Sequence, residues 1–151
     1  MNHSLLKYRD IIQWIHDRYN KTVDVDNISA ALHDVSYDDV TKTFTYKCID
    51  ADEGFHKLFQ TDNTSLASLL YENIFPETKE NKFNWGALIG HVGRFGSISS
   101  FYAYSPNTHK WYSIMAISPE MNKTLLLFYD ITEEKNLEIA KNIQRNSASS
   151  A

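Results

Sequence analysis

The residues able to act as acids, bases, nucleophiles or metal ligands are scattered along this chain of 151 residues. Its six histidines make no paired ligand spacing such as H-x-x-x-H, and Cys48 has no C-x-x-C companion. The sequence therefore predicts no metal site. It also lacks a G-x-S-x-G nucleophile elbow, a Walker loop and a kinase signature. Because no acid–base or nucleophile constellation is present, we expect no enzymatic activity from these residues.

Two local patterns invite a functional interpretation. The acidic run Asp50 to Gly54 places its glycine one position too early for a calcium loop, and Thr61 replaces the glutamate at the twelfth position. We therefore expect a solvated acidic turn before a helix. Further on, Gly86, Gly90 and Gly93 form a stripe at helical spacing, and Gly96 is placed to end that helix. The stripe has two interpretations, which are close packing of the helix on a sheet, or room for a ligand between them.

Composition excludes several partner classes. The net charge is −4 and no basic cluster is present, which argues against binding to nucleic acid. No apolar run approaches the roughly 18 to 20 residues that cross a bilayer, so we expect no membrane association. Cys48 is the only cysteine, so no internal disulfide forms. We therefore expect a protein of the reducing cytoplasm.

The N-terminal segment 5–19 predicts an amphipathic helix, because its apolar residues recur every three or four positions. Two interpretations remain open: a helix packed on its own domain, or a helical seam between two chains of a homodimer. The residues of this stripe are Leu5, Tyr8, Ile12, Ile15 and Tyr19.

The remaining pattern predicts an α+β fold with one antiparallel sheet of about five strands, helices on one face, and a flanking helix at each end. Two strands are expected at 30–37 and 43–50, three more after residue 96, and helices between the two groups. Thr132 is a good N-cap for the last helix, which begins directly after a strand. We expect three segments, 1–29, 30–132 and 133–151, the last ending in a disordered tail from residue 145.

From about Ala30 to Lys135 the chain resembles a PAS domain. The motifs that carry the resemblance are, in chain order, FHKLF, NIFPE, the W…V…G of the long helix, YSPNTHKWYSIMA and FYDITEEK. The last is the most specific, since an Asp-Ile-Thr triplet followed by acidic residues and a lysine is typical of these sensors. Two departures are Asp52 and Gly54, where the family often has Asn and Ala.

The resemblance leaves the cofactor unidentified. The flavin-binding motif G-x-N-C-R-F-L-Q is absent, and Cys48 does not match the chromophore cysteine of the yellow-protein branch. The haem-binding branch places its histidine early in the long helix. His91 lies late in that helix, which argues against haem.

The resemblance implies a sensory or signal-relay module of a bacterial signalling protein, of the histidine kinase or diguanylate cyclase type, with its effector domain outside these residues. A small molecule or partner would bind between the long helix and the sheet. Strand alternation turns about half of the strand residues away from such a site, and core packing explains each residue at least as well. The candidate lining residues are Tyr46, Phe55, Trp85, Leu88, Ile89, Phe101, Ile114, Met115 and Leu126.

Binding would move the sheet and shift the last helix through Asp130, Ile131 and Thr132. The alternative is a ligand-free PAS module for dimerisation or protein interaction. In that case side chains such as Trp85, Tyr102 and Trp111 would fill the chamber, and the N-terminal apolar stripe would be the functional surface.

Overall fold

The computed structural model describes residues 8–19, 28–80 and 83–149. Leu5 of the predicted dimer stripe lies outside these residues, and Ile15 and Tyr19 are described only as backbone of a helix. The helices are α1 (Arg9–Tyr19), α2 (Glu53–Phe59), α3 (Tyr71–Ile74), α4 (Pro76–Glu80), α5 (Trp85–Phe95) and α6 (Thr132–Ser149). The strands are β1 (Ile28–Asp38), β2 (Thr43–Ala51), β3 (Ser99–Ser105), β4 (Lys110–Ile117) and β5 (Lys123–Asp130).

The five strands form one antiparallel sheet in the order β2-β1-β5-β4-β3. The predicted α+β fold with a single five-stranded sheet is therefore confirmed. The three hairpin turns each contain a residue with positive φ, at Lys42, His109 and Asn122. Strand β5 lies at the centre of the sheet because its residues 125–128 are all apolar and all fully buried, one pair facing each side.

The two faces of the sheet carry different elements. Helices α2 to α5 cover the inner face, where Phe55, Trp85 and Ile89 belong to one buried cluster with Leu126. On the outer face, Tyr8 is buried in a second cluster, and Ile11 and Ile12 of α1 pack against it. Through the residues whose side chains are described, the N-terminal helix packs on its own domain. The helical seam between two chains stays a prediction.

Several boundaries differ from the sequence predictions. Pro76 begins α4, since a proline fits the first turn of a helix, where no N–H partner is needed. Strand β1 begins at Ile28, before the expected boundary at residue 30. Residues 145–149, expected to be disordered, continue α6 to Ser149.

The acidic run is not a solvated turn. Asp50 is buried, and its side chain accepts a hydrogen bond from the backbone N–H of Ala51. Asp52 caps α2 by accepting from the N–H of Phe55 at 2.8 Å. Its second oxygen accepts from the N–H of Ala30 at 3.0 Å, which ties the start of α2 to β1. The carboxylates of this run hold the backbone in place.

Candidate functional site

The inner face holds most of the predicted lining residues. Phe55, Trp85, Ile89, Ile114 and Leu126 are fully buried there, and Tyr46 and Phe101 pack against the same cluster. Leu88 is half-buried on α5, outside both clusters. Met115 belongs to the outer-face cluster, so its assignment to an inner site is wrong. The cause is strand alternation, since the neighbouring Ile114 takes the inner position on β4.

Aromatic rings fill the inner chamber, which we define as the space between α2–α5 and the sheet. Phe55 lies 5.6 Å from Phe128, and Phe75 lies 5.4 Å from Trp85, measured between ring centroids. Edge-to-face and offset arrangements of this kind stabilise a core beyond the burial of their area. The rings in mutual contact are those of Phe55, Phe59, Tyr71, Phe75, Trp85, Tyr112 and Phe128. Tyr102 and Trp111 lie on the outer face instead, so they do not fill this chamber.

The glycines of α5 allow the helix to pack closely on the sheet. A Cβ atom at Gly90 would overlap the ring of Phe44, and one at Gly93 would lie 2.6 Å from the hydroxyl of Thr124. Gly96 ends the helix with φ of 71°, as its position predicted. The packing interpretation of the glycine stripe is therefore the one that the structure supports.

A buried polar network, which the sequence did not predict, crosses the inner face. His33 is fully buried on β1, its Nε2 lies 2.6 Å from the hydroxyl of Tyr71, and its Nδ1 lies 3.0 Å from the carbonyl oxygen of Thr124. The backbone N–H of Tyr71 donates to the hydroxyl of Tyr46 at 3.3 Å. The hydroxyl of Thr124 donates a hydrogen bond to the carbonyl oxygen of Ile89 at 2.6 Å. The network therefore joins β1, β2, β5, α3 and α5.

Burial governs the protonation of this network. It lowers the pKa of His33 to about 4, so the imidazole is neutral near pH 7. It raises the pKa of Tyr46 to about 12 and that of Tyr71 well above its usual value. The pKa of Cys48 rises to about 12 for the same reason, which makes its thiol unreactive. The available sequence signal was the spacing of Ala31, His33 and Val35, which alternation places on one face of the strand.

The joint between β5 and α6 consists of one residue, Ile131. Asp130 accepts hydrogen bonds from the backbone N–H of Thr132 at 3.0 Å and from its hydroxyl at 2.6 Å. The Thr132 hydroxyl also accepts from the N–H of Trp111 on β4, and Ile131 donates its N–H to the carbonyl oxygen of Trp111. Lys110 pairs with Asp130 at 3.5 Å. The joint is therefore fastened to the neighbouring strand.

Thr132 does not have its expected role at this joint. It is the first residue of α6 and its hydroxyl points to Asp130 and β4, so it is not the N-cap. The carbonyl oxygen of Ile131 accepts the first bond of the helix, from the N–H of Lys135. The carboxylate of Asp130 instead accepts a hydrogen bond from the free backbone N–H of Thr132 in the first turn of α6.

An open groove of about 550 Å³ lies on the outer face beside α6. Its rim includes Lys135, whose Nζ lies 4.8 Å from the ring centroid of Tyr102 and 5.3 Å from that of Trp111. A smaller cavity of about 280 Å³ lies at the edge of the inner chamber, where Ile74 of α3 meets Phe59 and the β3–β4 turn.

Among the residues that the structure describes, no three His, Cys, Asp or Glu side chains come together in an arrangement suited to a metal ion. None of the described helices has the length and apolar content needed to cross a bilayer.

The comparisons with known proteins give a likeness among solved structures. No protein-family model matches the chain, and no curated protein matches it. Among solved structures, the chain is similar to the PAS domain of a protein from Colwellia psychrerythraea. The match covers 82% of this chain and 99% of that one, with 15% sequence identity and a TM-score of 0.44. The five-stranded antiparallel sheet described above fits a PAS fold.

Proposed function

We propose that this chain is a sensory or signal-relay module of the PAS type, which passes a change in its sheet to the C-terminal helix α6. The joint at residues 130–132 is the observation that carries the proposal. The central strand β5 is buried on both faces and leads into an 18-residue helix through one residue that is itself hydrogen-bonded to β4. Because no flexible linker intervenes, a displacement of β5 moves the first turn of α6.

The bacterial signalling context belongs to this proposal. The motifs that resemble PAS domains favour a histidine kinase or diguanylate cyclase as the effector, attached beyond α6, in a cytoplasmic protein. A homodimer follows from the same resemblance. Its support within the structure is the exposed apolar side chains of Leu137, Ile139 and Ile143 on α6.

Relay through the joint is tested by making the same substitution, Phe to Leu, at two positions of the inner face. Phe128→Leu changes a buried ring on β5, two residues before Asp130, and Phe44→Leu changes an inner-face ring on the edge strand β2. We expect Phe128→Leu to raise amide exchange in the first turn of α6 more than Phe44→Leu does, after correction for global stability. Equal exchange in the two variants would refute the relay.

The ligand-free alternative is favoured by the filled inner chamber, where Tyr71, Phe75 and Trp85 are fully buried against each other. Native mass spectrometry of the purified protein distinguishes the two functions. A retained small molecule supports sensing, whereas a tight dimer that carries no small molecule supports an interaction module.

A further inference from the structure

The ring of Tyr71 occupies a slot with three aromatic walls, one of which is Phe128 at 5.9 Å between ring centroids. It lies 5.0 Å from the ring centroid of Trp85 at an interplanar angle of 28°, and 5.9 Å from that of Tyr46 at 27°. Its hydroxyl reaches the Nε2 atom of His33 at 2.6 Å. We call this space, bounded by Tyr46, Trp85, Phe128 and His33, the Tyr71 slot. It accepts a planar ring with one polar end.

The polar end of the slot is a hydrogen-bond acceptor. The Nδ1 atom of His33 lies 3.0 Å from the carbonyl oxygen of Thr124, which can only accept, so Nδ1 carries the proton. Burial keeps the pKa of His33 at about 4, so near pH 7 the Nε2 atom offers its lone pair. Any occupant must therefore donate a hydrogen bond there, because a buried acceptor left unpaired is costly.

The helix that carries Tyr71 depends on its contacts with the rest of the chain. Helix α3 has four residues, begins at Tyr71 itself, and has no side-chain cap from Leu70. A helix of this length has little stability of its own. The adjacent Glu72 has a buried carboxylate oxygen, Oε2, with no hydrogen-bond partner. Outward movement of α3 would hydrate that oxygen, which partly offsets the loss of the Tyr71 contacts.

We propose that Tyr71 fills, from within the chain, the binding slot of an uncharged aromatic ligand that carries a hydroxyl or a ring N–H. Such a ligand displaces the Tyr71 side chain, stacks between Tyr46 and Trp85, and donates its hydrogen bond to His33. This inference rests on the proposed sensory function and names the ligand class of the inner chamber. In this proposal, the movement of α3 that accompanies displacement of Tyr71 is the signal.

The slot is tested first in the variant Tyr71→Ala, with 4-methylphenol and toluene as probes in thermal-shift and calorimetric titrations. Both fit a ring-sized cavity, and only 4-methylphenol donates to His33. We expect it to bind about fivefold tighter than toluene, the effect of one buried hydrogen bond. The matched control is Phe75→Ala, which opens a ring-sized space against Trp85 without His33 at its end. No preference for 4-methylphenol is expected there, and equal binding of the two probes to Tyr71→Ala would overturn the assignment.

The wild-type protein tests whether a ligand displaces the Tyr71 side chain, and this test does not depend on the folding of the variant. The indole N–H of Trp85 donates to the hydroxyl of Thr78 at 2.9 Å and gives a separate NMR signal. We expect 4-methylphenol to shift this signal saturably and toluene to leave it in place. An unshifted signal up to the solubility limit would show that Tyr71 is a core residue only. If 4-methylphenol binds and amide exchange in α6 does not change, the Tyr71 slot is supported and the relay to α6 is contradicted.

Discussion

A single oxygen atom of Asp130, Oδ1, accepts hydrogen bonds from both the backbone N–H and the hydroxyl of Thr132. The same hydroxyl accepts from the N–H of Trp111, so the first residue of α6 is fixed to the last residue of β5 and to the adjacent strand. Burial alone would raise the pKa of Asp130. The bonds from Thr132 and the nearby Lys110 outweigh it and hold that pKa below its usual value. The carboxylate form is therefore part of the joint.

Asp130→Ala should release the start of α6 and leave the sheet intact. Loss of a capping carboxylate costs about 1 kcal/mol, and we expect faster amide exchange in the first turn of α6. Because the folded pKa of Asp130 is depressed, its stabilisation is present above the unfolded-state pKa and is lost as the pH falls through the folded one. Asp130→Asn is the control that keeps the shape and one acceptor. Unchanged exchange of the first turn in Asp130→Ala would contradict the role of the joint.

The buried imidazole of His33 should make the protein sensitive to mild acid. Its folded pKa of about 4 lies below the usual 6.5, so the unfolded state binds a proton first. Stability from this residue is complete above about pH 6.5 and declines as the pH falls towards 4. The loss is on the order of 3 kcal/mol. The free energy of unfolding, measured with urea at several pH values, should decline over this range in the wild type and not in His33→Gln. His109→Asn, in an exposed turn, should retain this decline.

The sequence was sufficient for the elements whose signals are local. The α+β fold, the two groups of strands and the long helix ended by Gly96 follow from the spacing of apolar residues and from turn residues. The inner face could be assigned only in part, because Ile114 and Met115 are both apolar neighbours on β4 and the sequence does not say which faces α5. The pairing of His33 with Tyr71 was not predictable, since it joins residues 38 positions apart. The acidic run was predicted wrongly because the carboxylates of Asp50 and Asp52 bind backbone N–H groups.

Gly90→Ala should destabilise the packing of α5 on β2. The added methyl group would overlap the ring of Phe44, which must then move. Overpacking of this kind costs about 1–3 kcal/mol. Gly86→Ala is the matched control, because its Cβ would lie 3.4 Å from Asn84 and 3.5 Å from the carbonyl oxygen of Phe44. There the better helix propensity of alanine should leave stability equal or raised by up to about 1 kcal/mol. Thermal unfolding of both variants measures the difference, and equal loss in both would refute the close-packing interpretation.

Lys135→Met should loosen α6 from the outer face of the sheet. The ammonium group of Lys135 lies over the rings of Tyr102 and Trp111, and contacts of this kind contribute about 0.5–1 kcal/mol at exposed sites. Methionine keeps an unbranched apolar side chain, one atom shorter than that of lysine. The substitution therefore removes the ammonium group, with its contacts to the two rings and its ion pair with Glu138 at 3.4 Å. We expect a changed fluorescence of Trp111 and faster amide exchange over residues 133–138. Lys141→Met, on an exposed turn of the same helix, should change neither. If the two variants exchange alike, packing of the lysine stem and not its charge holds α6 against β3 and β4.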